Sequence, residues 1–417
     1  MLGESDTASI RRVCEATLRQ NWREGVRAID RVPFAYTCPS PGHYPWQWYW
    51  DSCFTAIGWR HFDRSRSRRE LESLLAAQRE DGFIGHTIFW NTPLTGRRRF
   101  TYNVTSANAA MTASIQPPVL AWAWRIAVGD PSLVTAIVRH HDWLSAHRDL
   151  DGDGLIWIVQ PDESGLDASP QFDAIWRRRA HDRLGFIALV WRNRRLGFDL
   201  RRIAGAGGPV CCEVATNVLH GLSLMALGRP SLTPTIVERM YNGATGLFEP
   251  LARPEPRRTP ALTWAALAPL ALPDLPEEIG HRLVEEHLLE VNRFWLPVPP
   301  PSVPPTEPSF SLRDDHRLWI RRYWRGPTWV NAAWLVWLGL IRLGYREHAQ
   351  TLSDRIMAAV LAQGLREYYD PFTGAGMGAT DFGWSTLVME MLDPDPRASG
   401  SYLDSGASPA RPPSEDI

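Results

Sequence analysis

The sequence predicts an all-α protein: one helical toroid whose loops form a pocket at one end. Three observations favour this fold class. Helical periodicity dominates, strand signals are few and short, and the 417 residues show no composition break that would separate domains. Hydrophobic residues make up 44% of the chain and charged residues 22%, which is typical of a globular protein with a sizeable core.

The helices are predicted from apolar residues that recur at helical spacing. These segments are 8–28, 66–79, 105–128, 131–147, 183–199, 213–228, 231–241, 277–291, 327–344 and 346–364. Segment 213–228 is apolar nearly all round, which indicates an inner helix covered on both sides. The clearest strand signal is LIWIV at 155–159. We expect residues 1–392 to form the barrel and residues 393–417, rich in Pro, Ser, Asp and Gly, to be a disordered tail.

Composition excludes several classes of function. Every basic side chain is arginine, because the sequence contains no lysine. Phosphate-loop NTPases, Schiff-base aldolases and PLP enzymes need a lysine at their centre, so these classes are excluded. The formal net charge of −1 argues against a general nucleic-acid-binding protein, which carries a strong basic excess.

The five cysteines are scattered without a CxxC pair, which fits a reducing compartment. The N-terminus has no apolar core of a signal peptide, and no run approaches the roughly 18–20 apolar residues of a membrane span. Residues 149–154 open like a calcium loop, but Gln160 stands where that loop needs Glu, so a turn is favoured. We therefore expect a cytoplasmic protein without a membrane partner, metal or cofactor, and leave a homo-oligomer open.

Twenty tryptophans are more than a core of this size needs, so they either fill the core or present flat faces and N–H donors around a cavity. The densest cluster is YPWQWYWDS at 44–52. Its carboxylate, Asp51, has the chemistry of a helix N-cap. The aromatic faces beside it favour a second interpretation, a site for a sugar ring and its hydroxyl groups.

Three further motifs bring together carboxylates, aromatics and turn residues. DESGLDASP at 162–170 places three carboxylates on a loop, where an apolar surround would let one act as a general acid; helix capping at Asp167 or Ser169 is the alternative. In YWRGPTWVN at 323–331, Gly-Pro starts a helix and Arg325 is suited to orient a carboxylate. In REYYDP at 366–371, Glu367 at a helix end is the candidate general base, or else a surface partner of Arg366.

Taken in this order, the motifs resemble the bacterial branch of an inverting glycosidase family, glycoside hydrolase family 63-like. That branch holds mannosylglycerate and glucosylglycerate hydrolases and is related to processing α-glucosidase I and to trehalase. The resemblance covers most of the chain. It is carried by QWYWDSCFTAIG (47–58), DGFIGH (81–86), Gln116-Pro117-Pro118, ESGLDASP (163–170), YWRGPTWVNAAWL (323–335) and REYYDPFTG with DFGW (366–384).

The resemblance implies an (α/α)6 barrel that hydrolyses an α-glycosidic bond with inversion, with Asp167 as general acid and Glu367 as general base. The carboxyl groups of an inverting pair lie about 6.5–9.5 Å apart, which leaves room for a water. The resemblance places the following residues around the sugar: Tyr44, Trp48, Trp50, Asp51, Gln116, Gly165, Tyr323, Trp324, Arg325 and Trp329.

The chain departs from the family in the acid motif, which is often DNSPRW and here reads DASPQF at 167–172. The heavy Pro-rich loop at 297–310 is a second departure, and we expect it to lie over the leaving-group side. A glycerate carboxylate requires an arginine in the pocket, and Arg325 is the first candidate, with Arg177 second. The alternatives are an α-glucosidase of neutral di- or oligosaccharides, and a sugar isomerase or sugar-binding barrel with histidines in the pocket.

Overall fold

The computed structural model describes residues 3–91, 110–255, 257–259, 261–313 and 322–392. Within them, helical segments alternate between an outer layer and an inner ring. The inner ring consists of α2 (Tyr49–Trp59), α4 (Leu120–Ala127), α9 (Val214–Ala226), the 3₁₀ segment Trp264–Ala271, α12 (Val330–Arg342) and the 3₁₀ segment Gly383–Leu392. The outer layer consists of α1 (Glu4–Asn21), α3 (Arg64–Ala76), α5 (Val134–Arg148), α10 (Thr233–Met240), α11 (Glu277–Arg282, continued by a π turn at Leu283–Leu288) and α13 (Arg346–Gln363).

The inner ring is closed. Each inner segment packs against the next, and the sixth, Gly383–Leu392, packs against α2. Because every inner segment follows an outer one, all six run in the same direction. The molecule is an (α/α)6 barrel, which confirms the predicted fold class.

Burial follows these two layers. All eleven residues of α2 and the first eleven of α9 are buried, as expected for helices covered on every side. The outer α1 instead buries one stripe: Ile10, Cys14, Thr17, Leu18 and Asn21. Side-chain caps begin several of the helices. Asp63 accepts the backbone N–H groups of Ser65 and Arg66 at the start of α3, and Glu213 does the same for Ala215 and Thr216 at the start of α9.

Short antiparallel strands connect the helices. The pairs are β1 (Trp22–Val26) with β2 (Pro33–Thr37), β3 (Gln47–Trp48) with β4 (Thr87–Ile88), β6 (Tyr241–Asn242) with β7 (Leu247–Phe248), and β10 (Arg366–Tyr369) with β11 (Gly376–Thr380); β5 (Val210–Cys212), β8 (Leu251–Arg253) and β9 (Arg257–Arg258) form a three-stranded sheet. The prediction of a strand at 155–159 is wrong, because these residues do not form a continuous ladder with another strand. Ile156 and Ile158 make only isolated bridges, because this buried stretch passes between other elements.

Several helix boundaries differ from the predictions. The helix expected at 8–28 ends at Asn21 and turns into the hairpin β1–β2. The helix expected at 105–128 is confined to α4, because Pro117 and Pro118 hold the chain extended before it, and residues 92–109 lie outside the described part. The helix expected at 183–199 ends early, as α7 (Arg183–Arg195), and a separate short helix, α8 (Leu200–Gly205), begins after it. The predicted tail at 393–417 also lies outside the described residues.

The long connection between α5 and α9 contains the DESGLDASP loop, a short helix α6 (Asp173–Trp176), α7 and α8. A buried ion pair ties this loop to the barrel. Arg148, the last residue of α5, bonds both carboxylate oxygens of Glu163 at 2.7 Å. Glu163 also accepts the backbone N–H groups of Ile115 and Val159. This connection is therefore anchored next to the N-terminus of α4.

The Pro-rich segment 297–310 packs behind the YWRGPTWVN motif. Residues 298–304 are buried. The Ser302 hydroxyl accepts the Gly326 N–H at 2.9 Å, and the Ser302 N–H donates to the carbonyl of Pro327 at 2.8 Å. These contacts make it a support for that motif. Separately, none of the helices in the described ranges is both long and apolar enough to cross a membrane.

Candidate active site

The candidate site lies where the N-termini of the inner ring converge. Trp50, in the first turn of α2, packs edge-on against Trp384 at the start of the sixth segment, with ring centroids 5.2 Å apart. Trp384 also packs on Trp329, the N-cap of α12, at 5.7 Å. The backbone N–H of Trp50 donates to the side chain of Gln116, just before α4, at 2.9 Å. Since helix N-termini carry partial positive charge, this end of the ring favours carboxylates.

Asp167, the predicted acid, is half-buried in a tight turn of the acid loop (residues 161–170). The turn is closed by a bond from the Ser169 N–H to the carbonyl of Leu166 at 3.0 Å. Gly165 has a φ of 70°, and a Cβ there would lie 2.4 Å from Cη2 of Trp50. Glycine is therefore required for the loop to lie flat on the Trp50 ring, which brings two residues predicted at the site into contact.

Glu367, the predicted base, lies on strand β10 rather than at a helix end, because α13 ends at Gln363 and Gly364 takes a positive φ of 72°. Only 3% of Glu367 is exposed. Its Oε1 accepts a short hydrogen bond from the Tyr323 hydroxyl, and its Oε2 accepts the Ala379 N–H at 2.9 Å. A Cβ on Gly378 would lie 2.5 Å from Oε2, so glycine is required there as well.

Asp51 is the second buried carboxyl group near Glu367. It lies in the first turn of α2, and the N-cap is Trp48, so the capping alternative is wrong. Burial, and secondly the charge of Glu367, raise the pKa of Asp51 well above its usual range. A hydrogen bond with the side chain of Trp50 acts in the opposite direction. The raised pKa favours the protonated form of the Asp51 carboxyl, which can donate a hydrogen bond.

An aromatic wall lies beside these carboxyl groups. Trp324 and Trp329 stack face to face, with centroids 3.9 Å apart and planes 5° apart. Tyr323 packs edge-on against Trp329, and its hydroxyl lies 3.3 Å from that of Tyr44. Tyr44 in turn packs edge-on against Trp48 at 5.6 Å. Within the described ranges, the buried indole N–H groups of Trp48, Trp324 and Trp329 have no hydrogen-bond partner, so the wall combines flat faces with donors that suit a sugar.

One short stretch of chain contacts both predicted catalytic residues. We name residues 323–328 the bridging segment. Its Tyr323 holds the Glu367 carboxylate, and the N–H of the next residue, Trp324, donates to the carbonyl of Asp167 at 3.3 Å. The structure therefore brings the two predicted catalytic residues to opposite ends of one dipeptide.

Arg325, expected to orient a substrate carboxylate, pairs within the protein instead. Its Nη2 lies 2.6 Å from Oδ1 of Asp173, and its Nε donates to the carbonyl of Ala168 at 2.7 Å. Only 1% of Arg325 is exposed. Burial alone would raise the pKa of Asp173, but hydrogen bonds from His181 and Arg325 hold it below its usual range. This arginine is engaged by the end of the acid loop.

His86, which was not selected from the sequence, and Asp162, one of the three candidate carboxylates of DESGLDASP, also lie at the candidate site. The His86 ring packs edge-on against Trp48 at 5.0 Å, and its Nδ1 lies 3.9 Å from Oδ2 of Asp162. Burial lowers the pKa of His86 to about 3, so the imidazole is neutral at physiological pH. The signal was present in the DGFIGH motif, whose last residue is His86, and in the first residue of DESGLDASP.

Among the described residues, no cluster of three or more His, Cys, Asp or Glu side chains is arranged to hold a metal ion. In the calcium-like turn, Arg239 pairs with Asp151 at 2.8 Å and closely with Asp153. Asp149 accepts the N–H groups of Gly152 and Gly154. A guanidinium and turn hydrogen bonds therefore occupy these carboxylates.

Comparison with known families decides the class of enzyme. Residues 44–221 and 230–385 match the family model described as the mannosylglycerate hydrolase MGH1-like glycoside hydrolase domain. The chain belongs to this family. The matched ranges contain both carboxylates and the bridging segment, so the protein is a glycoside hydrolase, and the isomerase and binding alternatives are set aside.

Curated relatives of this MGH1-like family include a mannosylglycerate hydrolase of Thermus thermophilus. It is 29% identical over 85% of this chain and 95% of its own length. The glucosylglycerate hydrolase of Mycolicibacterium hassiacum is 26% identical over 85% of this chain and 93% of its own length. The relatives thus include enzymes named for either sugar.

Solved structures agree with this family assignment. The family 63 mannosylglycerate hydrolase from a second strain of Thermus thermophilus, in complexes with Tris and D-glycerate and with glucose, superposes with a TM-score of 0.74; the sequences are 26–27% identical, over 92% of this chain and 99% of that one. Neutral trehalase Nth1 of Saccharomyces cerevisiae, 15% identical over 93% of this chain and 81% of that one, has a TM-score of 0.51 and shares the fold.

Proposed function

We propose that this glycoside hydrolase cleaves a small α-glycoside with inversion, with Asp167 as general acid and Glu367 as general base. The observation that carries the proposal is the Tyr323-Trp324 dipeptide, which contacts the Asp167 turn with one residue and the Glu367 carboxylate with the other. A common support for the two residues that carry the carboxyl groups suits a reaction that needs both groups in one step.

In the proposed mechanism, the Asp167 carboxyl donates its proton to the glycosidic oxygen while the bond from the anomeric carbon to that oxygen breaks. A water opposite the leaving group attacks the anomeric carbon and gives a proton to Glu367. The sugar is thus released as the β-anomer from an α-glycoside. Bonds from Tyr323 and Ala379 stabilise the ionised Glu367 that the base role requires.

We place the sugar ring against Tyr44, Trp48 and Trp50, and between the aromatic wall and Asp51. A neutral Asp51 donates to a sugar hydroxyl, and the neutral His86 imidazole accepts or donates beside it. Gln116 and Gly165 contribute by holding Trp50 in place. Trp324 and Trp329 supply N–H donors to the ring.

Glucosylglycerate and mannosylglycerate are the substrates we propose, since relatives across the family bear these names. A glycerate needs a cation, and Arg325 is already paired with Asp173. Arg177, the second candidate, lines a cleft of about 470 Å³ together with Arg179, Arg253 and Glu255. Its lining residues 174–177 and 179 follow the acid loop in the chain, and on this basis we assign the leaving-group carboxylate to Arg177 and Arg179.

A neutral di- or oligosaccharide is the alternative leaving group. It is favoured by one observation, the engagement of Arg325 inside the protein, which removes that guanidinium from the pocket. Arg177→Gln with Arg179→Gln separates the two candidates: loss of activity on the glycerate glycosides supports the carboxylate assignment. If the double variant keeps its KM for the glycerate glycosides and the enzyme hydrolyses trehalose or isomaltose, the neutral leaving group is supported.

The decisive test is NMR of the anomeric proton during hydrolysis of α-glucosylglycerate and α-mannosylglycerate, with trehalose and isomaltose alongside. The β-anomer should appear first, and Asp167→Ala and Glu367→Ala should each abolish it. Release of the α-anomer first, or full activity in either variant, would contradict the mechanism. The substrate turned over fastest identifies the sugar.

We also propose that the enzyme acts in the cytoplasm. All five cysteines are buried free thiols, which fits a reducing compartment. A homo-oligomer stays a prediction; light scattering after gel filtration would give the number of subunits.

A further inference from the structure

Arg325 is buried and directs its Nε donor at the acid loop. Its Nε donates to the carbonyl of Ala168, the residue that follows the predicted acid. Ala168 has a φ of 62°, in the left-handed region that disfavours a residue with a Cβ. Such a conformation persists only where surrounding contacts fix it, and the Arg325 bond is one such contact.

We propose that Arg325 is a positioning residue for the general acid. By holding the Ala168 carbonyl it fixes where the Asp167 carboxyl lies relative to the glycosidic oxygen. This inference rests on the proposed function, because it assumes that Asp167 is the acid.

The same segment is also fastened to the base. Beyond Arg325, the bridging segment pairs with the strand of Glu367: Thr328 and Tyr369 exchange backbone hydrogen bonds, both 2.9 Å long. Acid and base are therefore supported by one stretch of backbone rather than by separate loops. Losing the Arg325 contact removes the hydrogen bond to the Ala168 carbonyl, while the Trp324 bond to Asp167 and the contacts of the base remain.

Two side chains hold the guanidinium in place. Asp173 Oδ1 lies 2.6 Å from Arg325 Nη2 and 2.9 Å from Nδ1 of His181. His181 Nδ1 is also 3.3 Å from Arg325 Nη2. Asp173 thus keeps the Arg325 guanidinium directed at the Ala168 carbonyl. Substituting Asp173 weakens this contact at a second position, without removing the buried Arg325 side chain.

The test exploits leaving-group chemistry. Fluoride leaves the anomeric carbon of an α-glycosyl fluoride without a proton, so its hydrolysis needs Glu367 and water but no general acid. A misplaced general acid should therefore slow hydrolysis of the natural glycoside and leave hydrolysis of the glycosyl fluoride nearly unchanged. Arg325→Met should lower kcat for the glycerate glycoside by about 10- to 100-fold, with the fluoride changed by less than about threefold. Asp173→Asn should shift the same ratio in the same direction by about threefold or more.

The reference variant is Asp167→Asn. Its kcat should fall by about 10²- to 10⁴-fold on the glycoside, while its kcat on the fluoride should change little. Arg60→Met is the matched control. Arg60 also bonds a carboxylate, that of Glu390, but it caps the opposite end of α2. It should leave the ratio of the two activities unchanged. Circular dichroism and thermal unfolding verify that each variant is folded.

Equal losses on both substrates in Arg325→Met and Asp173→Asn would overturn the proposal, and so would a change confined to KM, which would make Arg325 a substrate contact. Unchanged kcat on the glycoside overturns it as well. If Asp167→Asn itself fails to discriminate between the substrates, the proposed function fails, and that result is distinct from a failure of Arg325 alone.

Discussion

Arg148 and Glu163 form a two-pronged ion pair in which both nitrogen–oxygen distances are 2.7 Å and the side chains are 2% and 0% exposed. The pair joins the end of outer helix α5 to the start of the acid loop. The loop is thus held at one end by this pair and at the other by Arg325. Removing one partner would leave a buried charge without compensation.

Arg148→Met should therefore lower the free energy of unfolding by about 3–5 kcal/mol, and activity should fall with it. Urea unfolding at pH 7.5 measures the first quantity. Arg19→Met is the control, because Arg19 pairs with Glu15 on the surface, where the side chains are 49% and 40% exposed. Its cost should be at most about 0.5 kcal/mol. Equal costs for the two variants would show that the buried pair does not anchor the loop.

Gly165→Ala tests the contact between the acid loop and the sugar-binding aromatics. The new Cβ would lie 2.4 Å from the Trp50 ring, so either the ring or the loop must move. We expect activity to fall by about 100-fold or more, because a 1 Å displacement at a catalytic centre is enough for such a loss. The backbone penalty of a positive φ, about 1–2 kcal/mol, comes in addition.

Gly129→Ala isolates that backbone penalty. Gly129 has a φ of +66°, close to the +70° of Gly165, and no heavy atom lies within 4 Å of its added Cβ. It should lose stability with kcat nearly unchanged. A kcat as low in Gly129→Ala as in Gly165→Ala would refute the steric explanation.

The helical barrel was predictable because the helices are amphipathic or apolar over long windows. The inner segments Trp264–Ala271 and Gly383–Leu392 were not, because both form 3₁₀ turns and the first contains Pro269. Their apolar character was visible, but a short apolar stretch does not reveal its helix type. The helix expected at 346–364 is correct to within one residue, but periodicity does not show that a hairpin follows Gly364, so Glu367 was expected at a helix end.

The sequence predicted site residues that stand together in one motif, but it did not predict the contacts between motifs. Tyr323 and Glu367 were selected from separate motifs, and the structure joins them by a hydrogen bond. The partner of Arg325 was not predictable, because Asp173 lies 152 residues away in sequence. Long-range pairing of charges depends on the fold, and local sequence carries no record of it.

Asp51→Asn tests whether Asp51 acts as a neutral donor. Because burial raises its pKa, the unfolded chain loses this proton at a lower pH than the folded protein, and the carboxyl costs stability above the usual pKa of 3.8. Asparagine removes that cost. The variant should be more stable than the wild type at pH 7, with the difference vanishing near pH 4.

Activity of Asp51→Asn should fall by about tenfold or less, the worth of one uncharged hydrogen bond. Thermal unfolding at several pH values and kcat/KM at pH 7 are the measurements. A loss of activity comparable with that of Glu367→Gln, or a variant less stable than the wild type at pH 7, would mean that Asp51 works as a carboxylate. Asp51→Leu, which removes the donor, should lose considerably more activity than the asparagine variant.

Three buried histidines predict a loss of stability in mild acid. Burial lowers the pKa of His140 to about 4 and that of His220 to about 3, and it also holds the pKa of His141 well below its usual value. His141 and His220 stack at 5.7 Å, and none of their four ring nitrogens has a hydrogen-bond partner in the described ranges. Well above pH 6.5 these rings are neutral in both the folded and the unfolded state and contribute no pH dependence.

Below pH 6.5 these histidines bind protons in the unfolded chain but not in the folded protein. Each therefore lowers the free energy of unfolding by about 1.4 kcal/mol per pH unit, until the pH reaches its pKa in the folded protein. Glu70, whose pKa burial raises to about 8, acts in the opposite direction, so a difference between variants is needed. From pH 7.5 to 5.5, His141→Leu should lose about 1 kcal/mol less than the wild type in urea unfolding. His147→Leu, an exposed position on the same helix, should follow the wild type, and an identical pH slope in both variants would refute the buried-histidine account.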